Sequence, residues 1–170
     1  MRGFHRGAAG NVARVSFGEF VTRLDYPMFI ATVPGDGCLV GFATQCSIDP
    51  PRFLACLSDK NRTYRLAREA EHMAVHVVPE DRPDLAELFG GETGDQVDKL
   101  SRCEWTPGPG GVPVLDGCAR WFAGRIVDRL PLGDHVGFVL DPVGDGHGER
   151  DRQGALGFQD ARDIEPGHEA

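Results

Sequence analysis

Short apolar runs separated by strong turn signals are the feature that most constrains this fold. The clearest example is the pair of runs at residues 28–33 and 38–42, which are separated by Pro34-Gly35-Asp36-Gly37. A Gly-rich turn between two such runs is typical of a β-hairpin, because β-branched and apolar residues favour strands. The 23 glycines and 12 prolines of the 170-residue chain also favour many turns over long helices.

The same alternation of apolar runs and turn signals predicts about six strands with short helices between them. Four further apolar runs lie at residues 52–57, 73–78, 121–127 and 135–140. Short helices are expected after Asn61, which is a good N-cap, and from Pro83, which suits a first helical turn. Strands in this number predict a mainly β fold, an antiparallel barrel or sandwich.

The composition also suggests where the folded body begins and ends. Residues 1–11 are rich in Gly, Ala and Arg and are predicted to be a flexible N-terminus. Residues 144–170 carry many glycines and charges but few apolar residues, so a loose tail is predicted there. The single folded domain is therefore expected over residues 12–143.

Charge and cysteine usage exclude several classes of protein. The net charge is −8 and no Lys/Arg cluster occurs, which argues against nucleic-acid binding. No apolar run approaches the ~20 residues of a membrane-spanning helix, and the N-terminus lacks the apolar core of a secretory signal. The five cysteines contain no CxxC pair, which favours free thiols over disulfides or zinc. We therefore expect a cytoplasmic protein with no metal site and no membrane association.

The first segment whose residues could bind a ligand is residues 41–51. Here a strand edge leads into small polar residues and a double proline. Such an edge can present backbone and side-chain hydrogen-bonding groups to a flat ligand such as a flavin. The candidate contacts are Thr44, Gln45, Cys46 and Ser47. An ordinary polar loop is the alternative interpretation.

The second segment, residues 58–63, joins an apolar strand to the start of a helix. Hydroxyl, amide and cationic groups at such a junction can hold a phosphate monoester. The candidate phosphate contacts are Ser58, Asn61, Arg62 and Thr63. Helix capping by Asn61 alone is the alternative.

Histidines raise two further hypotheses. Gly133-Asp134-His135 places a histidine at the mouth of a strand, where it could meet a nicotinamide, a phosphate or a flavin ring, although a lone histidine is often structural. His72 and His76 share one side of a strand, but no third metal ligand is evident, so a core or surface role is preferred.

Acidic residues follow Phe89-Gly90-Gly91. They are interpreted as a solvated face in which Asp95 and Lys99, at i,i+4 spacing, form an ion pair.

Taken together, these segments resemble the flavin reductase family with the FMN-binding split-barrel fold. The resemblance runs from Tyr26-Pro27 to about Pro142. Its landmarks are residues 47–51, 58–63, 73–77, 89–91 with Asp98-Lys99, and the Gly-Asp-His sequence that ends at His135.

The resemblance implies an antiparallel, Greek-key split β-barrel and an NAD(P)H:flavin oxidoreductase. In such an enzyme hydride passes from NADH or NADPH to bound FMN, or to FAD, and reduced flavin leaves for a partner monooxygenase. It also implies a homodimer. By position, residues 44–47 would meet the isoalloxazine edge, residues 58 and 61–63 the phosphate, and His135 the nicotinamide side.

Two alternatives stay open at this point. Related proteins of the same fold bind flavin without turnover, as electron carriers, or use deazaflavin (F420) as their cofactor. The Gly-Asp-His sequence favours the reductase.

Overall fold

The structure, a computed structural model, describes residues 16–147 and 154–167. The predicted flexible N-terminus, residues 1–11, lies outside the described residues. The strands are β1 (Phe29–Val33), β2 (Asp36–Val40), β3 (Ala43–Ser47), β4 (Arg52–Ser58), β5 (His72–Val77), β6 (Trp105–Pro107), β7 (Pro113–Leu115), β8 (Arg120–Pro131) and β9 (His135–His147). The helices are α1 (Phe17–Thr22), α2 (Arg62–Ala67), α3 (Pro83–Gly91) and α4 (Phe158–Ala161), with 3-10 turns at Lys99–Arg102 and Pro109–Gly111.

Seven strands form one antiparallel sheet in the order β2-β1-β5-β8-β9-β4-β3, and β6 and β7 form a separate hairpin. The long strands β8 and β9 pair near the middle of the sheet. Register shifts at Ala123/Gly124 and Ile126/Asp128 mark irregularities that bend such strands. The predicted mainly β, antiparallel fold with a few short helices is confirmed, and its form agrees with a split barrel.

The six predicted strands are all present, and the described residues contain three more. β3 was not expected because its Ala-Thr-Gln-Cys-Ser sequence is polar, and only pairing with β4 makes it a strand. β6 and β7 are three residues long, and both contain proline. Such short strands carry too few residues for an alternating pattern to be recognised.

The two largest buried apolar clusters stabilise the sheet. One surrounds Leu57 and Phe138 between β4, β9 and their neighbours. The other joins β1 to α3 and to the C-terminal residues through Ile30, Phe89 and Leu156. This second cluster fixes α3 beside β2, and residues of both elements line one cavity.

His76 is part of this buried framework. Its Nε2 accepts a hydrogen bond from the Leu115 N–H at 3.1 Å, so Nδ1 carries the proton and donates to the Ile30 carbonyl at 3.0 Å. Burial lowers the pKa of His76 to about 4, because a charged ring is disfavoured there. Both ring nitrogens are used, and across the described part of the chain no group of three His, Cys, Asp or Glu is arranged to hold a metal.

The described C-terminal residues differ from the predicted loose tail over residues 144–170. Residues 144–147 complete β9, and residues 154–167 pack against the barrel. Leu156 is buried and forms backbone hydrogen bonds to Met28 and Val78, each 2.8 Å long. Phe158 stacks on Tyr26 with ring centroids 4.9 Å apart. One short apolar sequence, Ala-Leu-Gly-Phe, thus anchors a segment whose overall composition is polar.

No helix among the described residues has both the length and the apolar character needed to cross a bilayer.

Candidate functional site

A cavity of about 490 Å³ lies between the ends of β2 and β4, helix α3 and the C-terminal segment. Its apolar floor is formed by Met28, Leu39, Leu57 and Phe89. The volume and the mixture of an apolar floor with a few polar groups are typical of small-molecule and cofactor sites.

His135 stands at the rim of this cavity, at the first position of β9. Its Nδ1 lies 2.8 Å from Asp134 Oδ1, and its ring centroid is 5.1 Å from that of Phe42, which also lines the cavity. The hydrogen bond from His135 lowers the pKa of the Asp134 carboxyl. A carboxylate at Nδ1 favours the tautomer with its proton there, which leaves Nε2 as an acceptor.

A polar edge lies beside His135. It consists of Ser58, Lys60 and Asn61, all of which line the cavity. Ser58 is the register partner of His135, and the Asp59 N–H donates to the Asp134 carbonyl at 3.0 Å. The structure therefore brings together Ser58, Asn61 and His135, three residues that were predicted to act at the site.

Thr63 requires a correction. It was predicted to contact a phosphate, but its side chain is fully buried and its hydroxyl donates to Asp36 Oδ2 at 2.9 Å. Asp36 also lies 3.6 Å from the Lys99 ammonium, and both charged side chains are buried. Thr63 therefore belongs to a buried polar cluster with Asp36 and Lys99 and does not face the cavity.

The predicted Asp95–Lys99 ion pair is also corrected. Asp95 pairs with Arg65, with an Nη2–Oδ2 distance of 2.7 Å. Lys99 instead pairs with Asp36 and donates to the Glu92 carbonyl at 3.4 Å. The sequence spacing suggested an exposed helix, whereas Lys99 opens a 3-10 turn that directs it inward.

The remaining predicted contacts lie outside the lining of this cavity. Arg62 lies on a neighbouring groove, where its Nη1 donates to the Gly35 carbonyl at 3.3 Å. Thr44, Gln45, Cys46 and Ser47 lie on β3 at the edge of the sheet, with the first three exposed. Gly41 and Phe42, immediately before β3, reach the cavity in their place. A role for residues 44–47 stays a prediction.

Two cysteines line the cavity, and their thiols are poor nucleophiles. Burial raises the pKa of Cys38 to about 12, because a thiolate would be desolvated. Burial also raises the pKa of Cys56. Both sulfurs are therefore protonated at neutral pH and act as apolar surface.

Sequence reasoning missed the apolar floor and the whole C-terminal wall. Leu39 was assigned only to a strand, and Phe89 only to a short helix and a family landmark; nothing local marks the two as facing one cavity. The wall consists of Phe158, Ala161, Arg162, Ile164 and Pro166. The apolar Leu156-Gly157-Phe158 triplet was the one local signal for it.

Fold and cavity together define the class: a small antiparallel β-barrel protein with a cavity between the ends of β2 and β4. The model of the flavin reductase like domain matches residues 21–164, and the chain belongs to this family. The matched residues include the polar edge, His135 and the C-terminal wall as far as Ile164.

Similar proteins include the stachydrine N-demethylase reductase subunit Stc3 of Rhizobium meliloti, 32% identical over 130 residues. That match covers 74% of this chain, and the chain spans about half (54%) of the length of Stc3. The FMN reductase (NADH) RutF of Stutzerimonas stutzeri is 28% identical over 128 residues, 73% of either chain. Among solved structures, an FMN-binding protein from Thermus thermophilus is 25% identical with a TM-score of 0.72, covering 88% of this chain and 83% of that one.

Proposed function

We propose that this chain is an NAD(P)H-dependent flavin reductase that binds FMN in the cavity beside His135. The observation that carries the proposal is the meeting of an apolar floor, a polar edge and His135 around one cavity of a flavin reductase family member. When bound, the flavin would supply the acceptor for a hydride from NADH or NADPH, and the protein would orient the two partners.

The residues present fit a flavin. Flat, largely apolar rings need apolar surface, which Leu39 and Phe89 offer at the floor and Phe42 at the rim. A phosphate needs hydrogen-bond donors and positive charge, which Ser58, Lys60 and Asn61 would provide at the polar edge. These two requirements are met at different sides of the same cavity.

His135 would orient the nicotinamide. Its ring forms a hydrogen bond with the Asp134 carboxylate and lies in tilted contact with the Phe42 ring. A ring oriented by two neighbours can fix the position of a second ligand at the rim. No proton transfer by His135 is required, since hydride moves between the two cofactors.

We also propose that the reduced flavin leaves for a partner monooxygenase. Stc3 is named as a reductase subunit, and a 25% identical protein from Acinetobacter baylyi is named as the reductase component of a trigonelline monooxygenase. The same proposal includes a homodimer in the cytoplasm. The five free cysteines suit a reducing compartment.

The test is oxidation of NADH and NADPH by purified protein with added FMN, with and without a soluble electron acceptor. Turnover that needs both protein and FMN supports the reductase. Tight FMN binding without nicotinamide oxidation would contradict it and favour the electron carrier. Preference for a deazaflavin over FMN would favour the deazaflavin-dependent alternative.

A further inference from the structure

Lys99 is a charged side chain that lies inside the protein rather than on its surface. It is 2% exposed and does not line the cavity beside His135. Burying an ammonium group is costly unless the group is paired and hydrogen-bonded, so the contacts of Lys99 indicate what it does in the fold. These contacts lead to segments that form the cavity.

The ammonium group of Lys99 contacts three groups. It donates to the Glu92 carbonyl at 3.4 Å, lies 3.6 Å from Asp36 Oδ1, and is 5.8 Å from the centroid of the Phe89 ring. A cation at this distance from an aromatic face is attracted to it. Glu92 and Phe89 both line the cavity, Phe89 as part of its floor. Lys99 therefore supports a wall and the floor of the cavity from behind.

Asp36 extends the contacts of Lys99 to the polar edge. Its Oδ2 accepts a hydrogen bond from the Thr63 hydroxyl at 2.9 Å, and the Thr63 N–H donates to the Asn61 side chain at 3.0 Å. Asn61 belongs to the polar edge and lines the cavity. The contacts thus run without a break from Glu92 through the buried cluster to Asn61.

The segment that leads from Glu92 to Lys99 passes directly over the Asp36 carboxylate. A Cβ atom at Gly94 would overlap that carboxylate, so the backbone approaches it closely. On the outer side, Arg65 of α2 pairs with Asp95, with an Nη2–Oδ2 distance of 2.7 Å. Because an exposed ion pair contributes little stability, we expect the buried pair to set the position of this segment.

We propose that Lys99 is a positioning residue of the flavin site, which fixes the wall at Glu92 and Thr93 and the floor at Phe89. It would thereby set the affinity for the flavin rings without touching the flavin. The inference rests on the proposed function in naming flavin as the ligand. A direct contact of Lys99 with the flavin phosphate is the alternative. An ammonium group has three N–H donors, and the three contacts of Lys99 inside the protein argue against it.

The experiment compares the dissociation constants of FMN and riboflavin for the wild type and for Lys99→Met, measured by flavin fluorescence. Methionine keeps a long unbranched side chain and removes the charge. We expect both constants to rise about fivefold or more and by the same factor, because the rings are common to both ligands. Val75→Ala, at a buried position of the first core cluster and outside the cavity, is the control for a general loss of stability. It should change either constant less than about twofold.

A second variant separates positioning from stability. Lys99→Met leaves the Asp36 carboxylate buried without its cation, which destabilises the fold. Asp36→Asn combined with Lys99→Met removes both charges and keeps an acceptor for the Thr63 hydroxyl, so the midpoint of urea denaturation should recover most of its loss. Flavin affinity should stay at the level of Lys99→Met, because the Glu92 carbonyl and the Phe89 ring still lack their cation. Recovery of affinity together with stability would give Lys99 a structural role only and would overturn the proposal.

Hydrogen exchange tests the wall directly, with no ligand bound. The Gln96 and Val97 amides donate to the Thr93 carbonyl at 3.1 and 3.0 Å. They should exchange faster in Lys99→Met and in the double variant, and at close to the wild-type rate in Val75→Ala.

The outcomes separate this inference from the proposed function. Unchanged exchange or unchanged flavin affinity in Lys99→Met would overturn the positioning role while leaving a flavin-binding wild type intact. A loss confined to FMN would overturn it in favour of a phosphate contact. A wild type that binds neither FMN nor riboflavin would defeat the proposed function and the inference together.

Discussion

Ser58 and His135 face each other as register partners on the antiparallel strands β4 and β9. The loop after Ser58 is held to the turn before His135, because the Asp59 N–H donates to the Asp134 carbonyl at 3.0 Å. The same strand pair therefore fixes both the polar edge and the histidine of the cavity. Flavin binding and nicotinamide orientation, as proposed, depend on one rigid element.

Replacing His135 separates these two roles. His135→Ala should lower NADH oxidation by about tenfold or more through lost orientation, while the FMN dissociation constant changes little. Steady-state kinetics and flavin fluorescence measure the two quantities. Leu132→Ala in the same turn is the control. Unchanged turnover in His135→Ala would remove the histidine from the mechanism.

The polar edge should distinguish FMN from riboflavin, which lacks the phosphate. Lys60→Gln removes a positive charge, so FMN affinity should fall by about 1.5–3 kcal/mol, the value of a charged hydrogen bond. Riboflavin affinity should be nearly unaffected. Equal weakening of both ligands would place the phosphate elsewhere.

Thr63 should behave differently, because its hydroxyl binds Asp36 and lies below the surface. Thr63→Val leaves part of a buried carboxylate without its donor and should reduce the free energy of unfolding by about 1–3 kcal/mol. Thr63→Ser keeps the hydroxyl and should be milder. Urea denaturation measures both. A selective loss of FMN over riboflavin in Thr63→Val, with stability unchanged, would restore the original prediction of a phosphate contact.

Stability should fall in mild acid because of His76. Its pKa is about 4 in the folded state against an ordinary value of 6.5, so the unfolded chain binds more protons between these pH values. This contribution is complete above about pH 6.5 and is lost as the pH falls toward 4, a change of about 3 kcal/mol.

Urea denaturation of the wild type and of His76→Gln across this range isolates the effect. The variant loses the His76 contribution but keeps that of the carboxylates. The stability difference between the two proteins should therefore shrink as the pH falls. A difference independent of pH would contradict the assignment.

The C-terminal segment should be part of the folded unit. Leu156→Ala removes a side chain that is 5% exposed and should cost about 2–4 kcal/mol of stability. Leu132→Ala, at a position 56% exposed, should change stability by less than about 0.5 kcal/mol. Similar small effects from both substitutions would show that the segment is not docked in solution.

The sequence predicted the features that depend on local chemistry. Runs such as residues 28–33 form strands because their apolar, β-branched character is local, and Asn61 caps α2 as expected. The arrangements that it did not predict depend on long-range contacts. β3 needs β4 as a partner, and Lys99 finds Asp36 only after the chain has folded.

The candidate site divides in the same way. Ser58, Asn61 and His135 follow from short motifs at strand ends, and all three reach the cavity. Leu39 and Phe89 lie on different elements, and no sequence motif indicates that these elements come together. Thr63 is the opposite case. Its chemistry and sequence position suit a phosphate contact, but in the folded chain its buried hydroxyl donates to Asp36 instead.

The central claim is that the cavity beside His135 binds a flavin that accepts hydride from a nicotinamide. Its most direct test is an anaerobic titration of FMN-loaded protein with NADH and then NADPH, following the flavin absorbance. The account predicts rapid, stoichiometric bleaching with at least one donor and much slower bleaching in His135→Ala. A bound flavin that stays oxidised with both donors would contradict it.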